Sequence, residues 1–174
     1  MVNLKIYCFI LKEYSILKKL PKYIHLLGLG KNNFNQGYFD EKKGENISYL
    51  NQYYGEATGF YWIWKNQVKK MSRGDWLGTC NYRKLWLNKC FNNKQKFSIS
   101  SLYSNLLQLN NNIFDNSDAI QVQPIIFEKE TVLQQFESVH GKDILRECAE
   151  FLDGKLNKDF INYINYNSLC FTFL

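Results

Sequence analysis

The chain has 174 residues, enough for one compact domain with a core and too few for two ordinary ones. Its 45% apolar and 22% charged content excludes a disordered polypeptide, and no stretch approaches the apolar length of a membrane span. The net charge of +6 suits anionic partners, but Lys18-Lys19 and Lys69-Lys70 are too short to form a nucleic-acid arm and read as solvated faces.

Leu4 to Leu11 reads as a first strand. Lys5 and the Lys12-Glu13 pair confine its apolar run to strand length, shorter than the centre of a secretory signal. The five cysteines (Cys8, Cys80, Cys90, Cys148, Cys170) form no Cys-x-x-Cys pair, and with only His25 and His140 there is no zinc spacing. Cys8 and Cys80 sit in apolar runs and read as buried thiols. The expectation is a reducing, cytoplasmic setting, with peripheral contact at the inner face of the membrane. Leu17 to Lys22 is a short turn or helix stopped near Pro21. Tyr23 to Leu29 is a second extended segment, and Gly28, Gly30 and the polar run 31–36 form a loop.

From Ser48 the pattern turns helical. Leu50, Tyr53, Tyr54, Ala57, Phe60, Tyr61 and Trp64 follow the three-and-four spacing of one apolar face. Asn46 or Ser48 supplies the cap. Gly55 and Gly59 each weaken such a helix by about 1 kcal/mol relative to Ala, and their spacing admits a close neighbour. Trp76 to Cys80 and Leu85 to Leu87 read as β, separated by Asn81 to Lys84. Ser98 to Leu109 reads as a helix, Ala119 to Phe127 as a strand interrupted by Pro124, and Thr131 to His140 and Lys142 to Leu152 as helices. This alternation predicts a single α/β domain over residues 1–174, with a mostly parallel sheet flanked by helices. Ligands of such sheets lie beyond the carboxyl ends of the strands, here at Asn81 to Lys84. The apolar ending, Ser168 to Leu174, reads as a chain cut short.

The helix and its approach carry polar, hydroxyl, acidic and indole groups together, a mixture that core filling does not require. Asn46, Ser48 and Asn51 suit sugar hydroxyls or phosphate near a helix start, although one of the three serves as the cap. Trp62 and Trp64 either stack on a ligand or pack in the core. Lys65 either binds phosphate or extends from the helix end into water. Glu56 is the best carboxylate, a general base or a partner of a neighbouring lysine or backbone group. Arg83 and Lys84 are either fixed cations for an anion or a surface pair at a strand end. Asp75 and Asp118 read as turn residues.

Gly44-Glu45-Asn46-Ile47-Ser48, Asn51, Glu56, Thr58, Tyr61-Trp62-Ile63-Trp64-Lys65-Asn66 and Asp75 through Arg83 resemble the bacterial capsular and exopolysaccharide biosynthesis family catalogued as domain of unknown function 4422. Ser117-Asp118-Ala119-Ile120 resembles a later strand of that family. The pattern is Gly-Asp-Asn-Ile-Ser, Cys-Glu-Leu-Thr, Tyr-Trp-x-Trp-Lys-Asn, then Gly-Leu-x-His-Tyr-Arg-Arg. This chain departs from it at Glu45, Gly55, Ala57, Asn81 (for His) and Lys84 (for Arg). The match spans roughly the front half to two-thirds of a full-length member.

The resemblance implies a glycosyltransferase with a nucleotide-diphospho-sugar transferase (GT-A-like) fold. Its partners would be a nucleotide-sugar donor and a glycan acceptor on a lipid carrier; no nucleic acid is expected. Carried onto this sequence, Glu56 and Arg83 are the catalytic candidates. Asn46, Ser48, Asn51, Thr58, Trp64, Lys65, Asn81, Tyr82, Lys84 and Asp118 are the substrate-binding candidates. No metal ligands are assigned; without an Asp-x-Asp pair, the need for a divalent metal stays open. The alternative is a noncatalytic truncated remnant or binding module of the family.

Overall fold

The computed structural model describes residues 3–88, 98–109, 112–115, 117–122, 125–126, 129–166 and 169–170, with only the backbone of 125–126 and 169–170. The chain forms two compact units, Met1–Asp118 and Ala119–Phe173.

In the first unit, β1 (Leu4–Ile10), β2 (Ile24–Gly28) and β3 (Phe39–Asp40) precede a short 3-10 turn at Ser48–Leu50. Two helices follow, α1 (Asn51–Tyr54) and α2 (Ala57–Asn66), and then β4 (Trp76–Asn81). The sheet is four-stranded and all parallel, in the order β3-β2-β1-β4. β1 is central, which explains why it reads as a continuous apolar run: a parallel strand covered on both faces has no solvent side to alternate with. Ile10 pairs with Gly28, Gly28 with Asp40, and Phe9 with Asn81, so all four carboxyl ends share one edge. Cys8 and Cys80 lie side by side in this register, both fully buried. Each thiol approaches the other, and that contact, with burial, pushes the Cys80 thiol well up.

α2 packs on the sheet, but not by the face that periodicity predicts. Its buried residues are Thr58, Gly59, Trp62 and Ile63, while Tyr53, Tyr54, Phe60 and Trp64 are exposed. The predicted single helix breaks at Gly55, whose φ of 52° ends α1 and resets the phase of the next helix. The close approach expected at Gly59 is present: a Cβ there would lie 2.7 Å from Phe9 Cε1 and 3.0 Å from Leu29 Cδ2. Trp62 and Ile63 join Tyr7, Phe9, Leu27 and Leu29 in one core cluster, with Phe39 against it. The Trp62 indole N–H donates to the Lys43 carbonyl at 2.6 Å, satisfying its polar end.

α3 (Ile99–Ser104) is shorter than the helix expected over 98–109. Ser98 caps it by accepting from the Ser101 N–H. The chain then turns: Leu107 N–H donates to the Trp86 carbonyl at 2.9 Å, and Leu87 forms an isolated antiparallel bridge with Leu106. That bridge is what becomes of the expected β segment at Leu85 to Leu87. The phenols of Tyr23 and Tyr103 donate to the Leu107 and Ile16 carbonyls, tying this segment to the N-terminal region of the same unit.

In the second unit, β5 (Ile125–Ile126) pairs antiparallel with β6 (Leu169–Cys170). Between them run α4 (Val132–His140), α5 (Ile144–Ala149) and α6 (Gly154–Tyr166). α4 begins where predicted because Thr131 and Gln134 form a reciprocal capping box. α5 starts two residues late, after Gly141 and Asp143 take positive φ values of 104° and 65°. Of the strand expected over 119–127, residues 119–122 make no ladder and 125–126 do; 123, 124 and 127 lie outside the described residues.

Candidate functional site

The shared carboxyl edge of the sheet divides into two parts. Beyond β1 and β4, the chain folds back tightly at Asn81 to Lys84: Asn81 N–H donates to the Lys84 carbonyl at 3.3 Å, and Lys84 N–H returns the bond at 3.0 Å. This turn exposes Arg83 and Lys84 while Asn81 stays buried. Asn81 uses both ends of its amide. Its Nδ2 donates to Glu56 Oε1 at 3.2 Å, and its Oδ1 accepts the Arg83 backbone N–H at 3.0 Å. Glu56, at the start of α2, and the cationic turn after β4 are therefore joined through one side chain.

Tyr82 extends this part toward β1. Its ring stacks on Tyr14 at 4.6 Å with an interplanar angle of 10°, and its N–H donates to the Phe9 carbonyl. Arg83 lies over Tyr82 at 5.3 Å and Lys12 over Tyr14 at 5.5 Å, so each ring of the stack has a cation beside it. Burial and the contact with Tyr82 raise the Tyr14 phenol above its ordinary pKa, keeping it a neutral donor. Lys12 and Tyr14 were not among the sequence candidates. The signal was their position just past the first strand, which becomes informative only once that strand is known to adjoin β4.

Beyond β2 and β3 the arrangement is closed. Asn46 spends its side chain on its own loop: Nδ2 donates to the Lys42 and Gly44 carbonyls, and Oδ1 accepts from the Ser48 N–H and hydroxyl. This is an Asx turn rather than the expected cap: the N-cap residues of the 3-10 turn and of α1 are Ile47 and Leu50, and neither is capped by a side chain. Asn51 Nδ2 donates to Thr58 Oγ1 at 2.8 Å and to the Gly55 carbonyl at 2.9 Å. Thr58 is buried and gives its own proton to the Gly55 carbonyl, so it lies beneath the surface that a ligand would meet. Gly30, Lys31, Lys42, Ser48 and Asn51 border a pocket of about 370 Å³. Behind Gly30 sits Glu41, fully buried, with Oε1 accepting the Gly30 N–H at 2.6 Å. Sequence reasoning missed Glu41 because it follows a strand of two residues, too short for any period to reveal.

Trp64 and Lys65 stand apart from both. Lys65 is nine residues beyond Glu56, roughly 13 Å along the helix at about 1.5 Å per residue. Lys65 pairs with Glu45 at 2.9 Å and covers the exposed Trp64 ring at 4.2 Å, and Tyr61 also donates to Glu45. The ion pair holds the Lys65 pKa up and the Glu45 pKa down. Asp118 is exposed and, at the end of the first unit, belongs to no strand. Among the described residues, no three His, Cys, Asp or Glu converge as a metal-holding group, and no helix is long and apolar enough to cross a membrane.

Residues 5–172 match the family described as domain of unknown function 4422 (DUF4422). The chain belongs to this family. The DUF4422 match takes in every element of the sheet's carboxyl edge, from the end of β1 to the turn after β4. The chain is also similar to a solved structure described as the apo form of the bifunctional glycosyltransferase WbbM, at 28% identity and a TM-score of 0.39. That similarity covers 87% of this chain and 22% of that one, so the chain spans under a quarter of the length of that protein. No curated protein matches.

Proposed function

We propose that this chain carries a glycosyltransferase site that moves a sugar from a nucleotide-sugar donor to a growing surface polysaccharide, on a fold of the nucleotide-diphospho-sugar transferase (GT-A-like) type. The observation that carries the proposal is the bridge through Asn81, which links the Glu56 carboxylate to the turn bearing Arg83. In transfer, the bond between the anomeric carbon and the diphosphate breaks as a bond to the acceptor oxygen forms. Negative charge collects on the departing diphosphate, so preoriented cations lower the barrier most where that charge grows. Arg83 is suited to that task by its planar donor fork, with Lys84 beside it. Glu56 would take the proton of the acceptor hydroxyl.

Lys65 is left out of this scheme because it is ion-paired at the far end of α2. Asn81 fills the position of the family histidine with an amide that bonds but cannot titrate. The acceptor would be a lipid-linked glycan, and the cationic surface would keep the protein at the inner face of the cell membrane. The capsular or exopolysaccharide context follows from the family resemblance.

Thermal unfolding with and without uridine or guanosine diphosphate tests the reading. A rise in Tm that disappears in Arg83→Ala, with transfer or hydrolysis of a matching nucleotide-sugar, is expected. If neither nucleoside diphosphates nor common nucleotide-sugars shift Tm, the proposal fails.

A further inference from the structure

Glu41 is fully buried, yet its Oε2 has no hydrogen-bond partner among the described residues. One oxygen is served by the Gly30 N–H. The Thr58 side chain also acts on this carboxyl, but its single proton goes to the Gly55 carbonyl at 2.9 Å. An ionised carboxylate at this position would hold a charge in the interior with one backbone donor, an expensive arrangement. The charged groups that act on it are its chain neighbours Asp40 and Lys42. Lys42 Nζ is turned to the Asn32 carbonyl at 2.7 Å and Asn33 Oδ1 at 3.1 Å, and lies 3.8 Å from Asp40. No cation faces Glu41 from α2 or from the loop after β2; these present neutral Thr58 and the Gly30 N–H.

We propose that Glu41 is a proton-bearing positioning residue that pins the loop after β2 to the start of α2, and that loss of its proton loosens this wall of the adjoining pocket. A neutral carboxyl completes the network without remainder. Oε1 accepts from Gly30, and a proton on the unpartnered Oε2 would be offered to Thr58 Oγ1. Thr58 Oγ1 also accepts from Asn51 Nδ2 and passes its proton to Gly55. The pin reaches three elements at once, because Gly30 follows β2, Glu41 follows β3 and Thr58 opens α2. Gly30 and Asn51 both line the pocket, so its shape depends on this bond set. Burial is the largest influence on the Glu41 carboxyl and raises its pKa; the bonds from Gly30 and Thr58 oppose it.

The sign follows from linkage. A carboxyl whose folded pKa is raised contributes fully to stability below its unfolded value, and that contribution is lost as pH rises toward the folded value. Glu41→Gln copies the neutral form, its amide donating to Thr58 and its carbonyl accepting from Gly30. Tm measured in parallel from pH 4 to pH 9 should show the wild type falling relative to Glu41→Gln by several degrees as pH rises. A difference that is flat, or that runs the other way because Thr58 has turned its proton to an ionised Glu41, overturns the proposal. If Glu41→Gln does not fold, the carboxyl carbon shift of Glu41 in the wild-type protein decides by NMR. A protonated shift at neutral pH supports the pin, and an ionised shift refutes it.

Discussion

The two parts of the sheet's carboxyl edge use the same kinds of residue for opposite ends. Beyond β1 and β4, Glu56, Arg83, Lys84 and Lys12 lie at or near water, and buried Asn81 bonds Glu56 and the backbone of the turn that carries Arg83 and Lys84. Beyond β2 and β3, Glu41, Asn51 and Thr58 turn their polar atoms on one another and on the backbone. A carboxylate is common to both, and its chemistry is set by what surrounds it. One is half-buried and held by the Asn81 amide, whereas the other is sealed in the interior against the Gly30 N–H.

This contrast breaks or sharpens under substitution. The largest loss is expected on the buried side. Trp62→Ala removes the indole between the sheet and the Lys43 carbonyl and should cost about 3–5 kcal/mol in urea unfolding. Gly59→Val comes next, at about 1–3 kcal/mol, because its Cβ would enter the Phe9 ring. On the exposed side, Arg83→Ala should leave stability within about 0.5 kcal/mol of wild type. It should weaken nucleoside diphosphate binding by about 1.5–3 kcal/mol in calorimetry, the range of a hydrogen bond to a charged group. Arg83→Ala unfolding as readily as Trp62→Ala would erase the distinction between the two parts. The smallest effect belongs to Trp64→Ala, within about 0.5 kcal/mol, since the residue is 57% exposed and its ring contacts Lys65 and Tyr61.

Much of the sheet was legible in the sequence because a central parallel strand is apolar without interruption, as residues 6–10 are, and because polar residues mark where such strands end. Asn81 to Lys84 was therefore recognisable as a strand-end turn. The face of α2 was not legible. Tyr53, Tyr54, Phe60 and Trp64 satisfy helical spacing only if the helix is continuous, and Gly55 interrupts it. Aromatic residues also misled, since a large ring counts as apolar in a pattern while remaining in water on a surface. β3 and Glu41 escaped because two residues carry no period. The companionship of Tyr14 and Tyr82 escaped for a different reason: residues 68 positions apart become neighbours only through the β1–β4 pairing.

Cys8 and Cys80 give the protein a built-in reporter. Both thiols lie between β1 and the edge strand β4 with no accessible surface, whereas Cys148 is open to reagent. An alkylating label applied under native conditions should therefore modify Cys148 at once. It should reach the sulfurs of Cys8 and Cys80 only when β1 and β4 separate, so the rate at which those two residues are modified times the opening of the sheet itself.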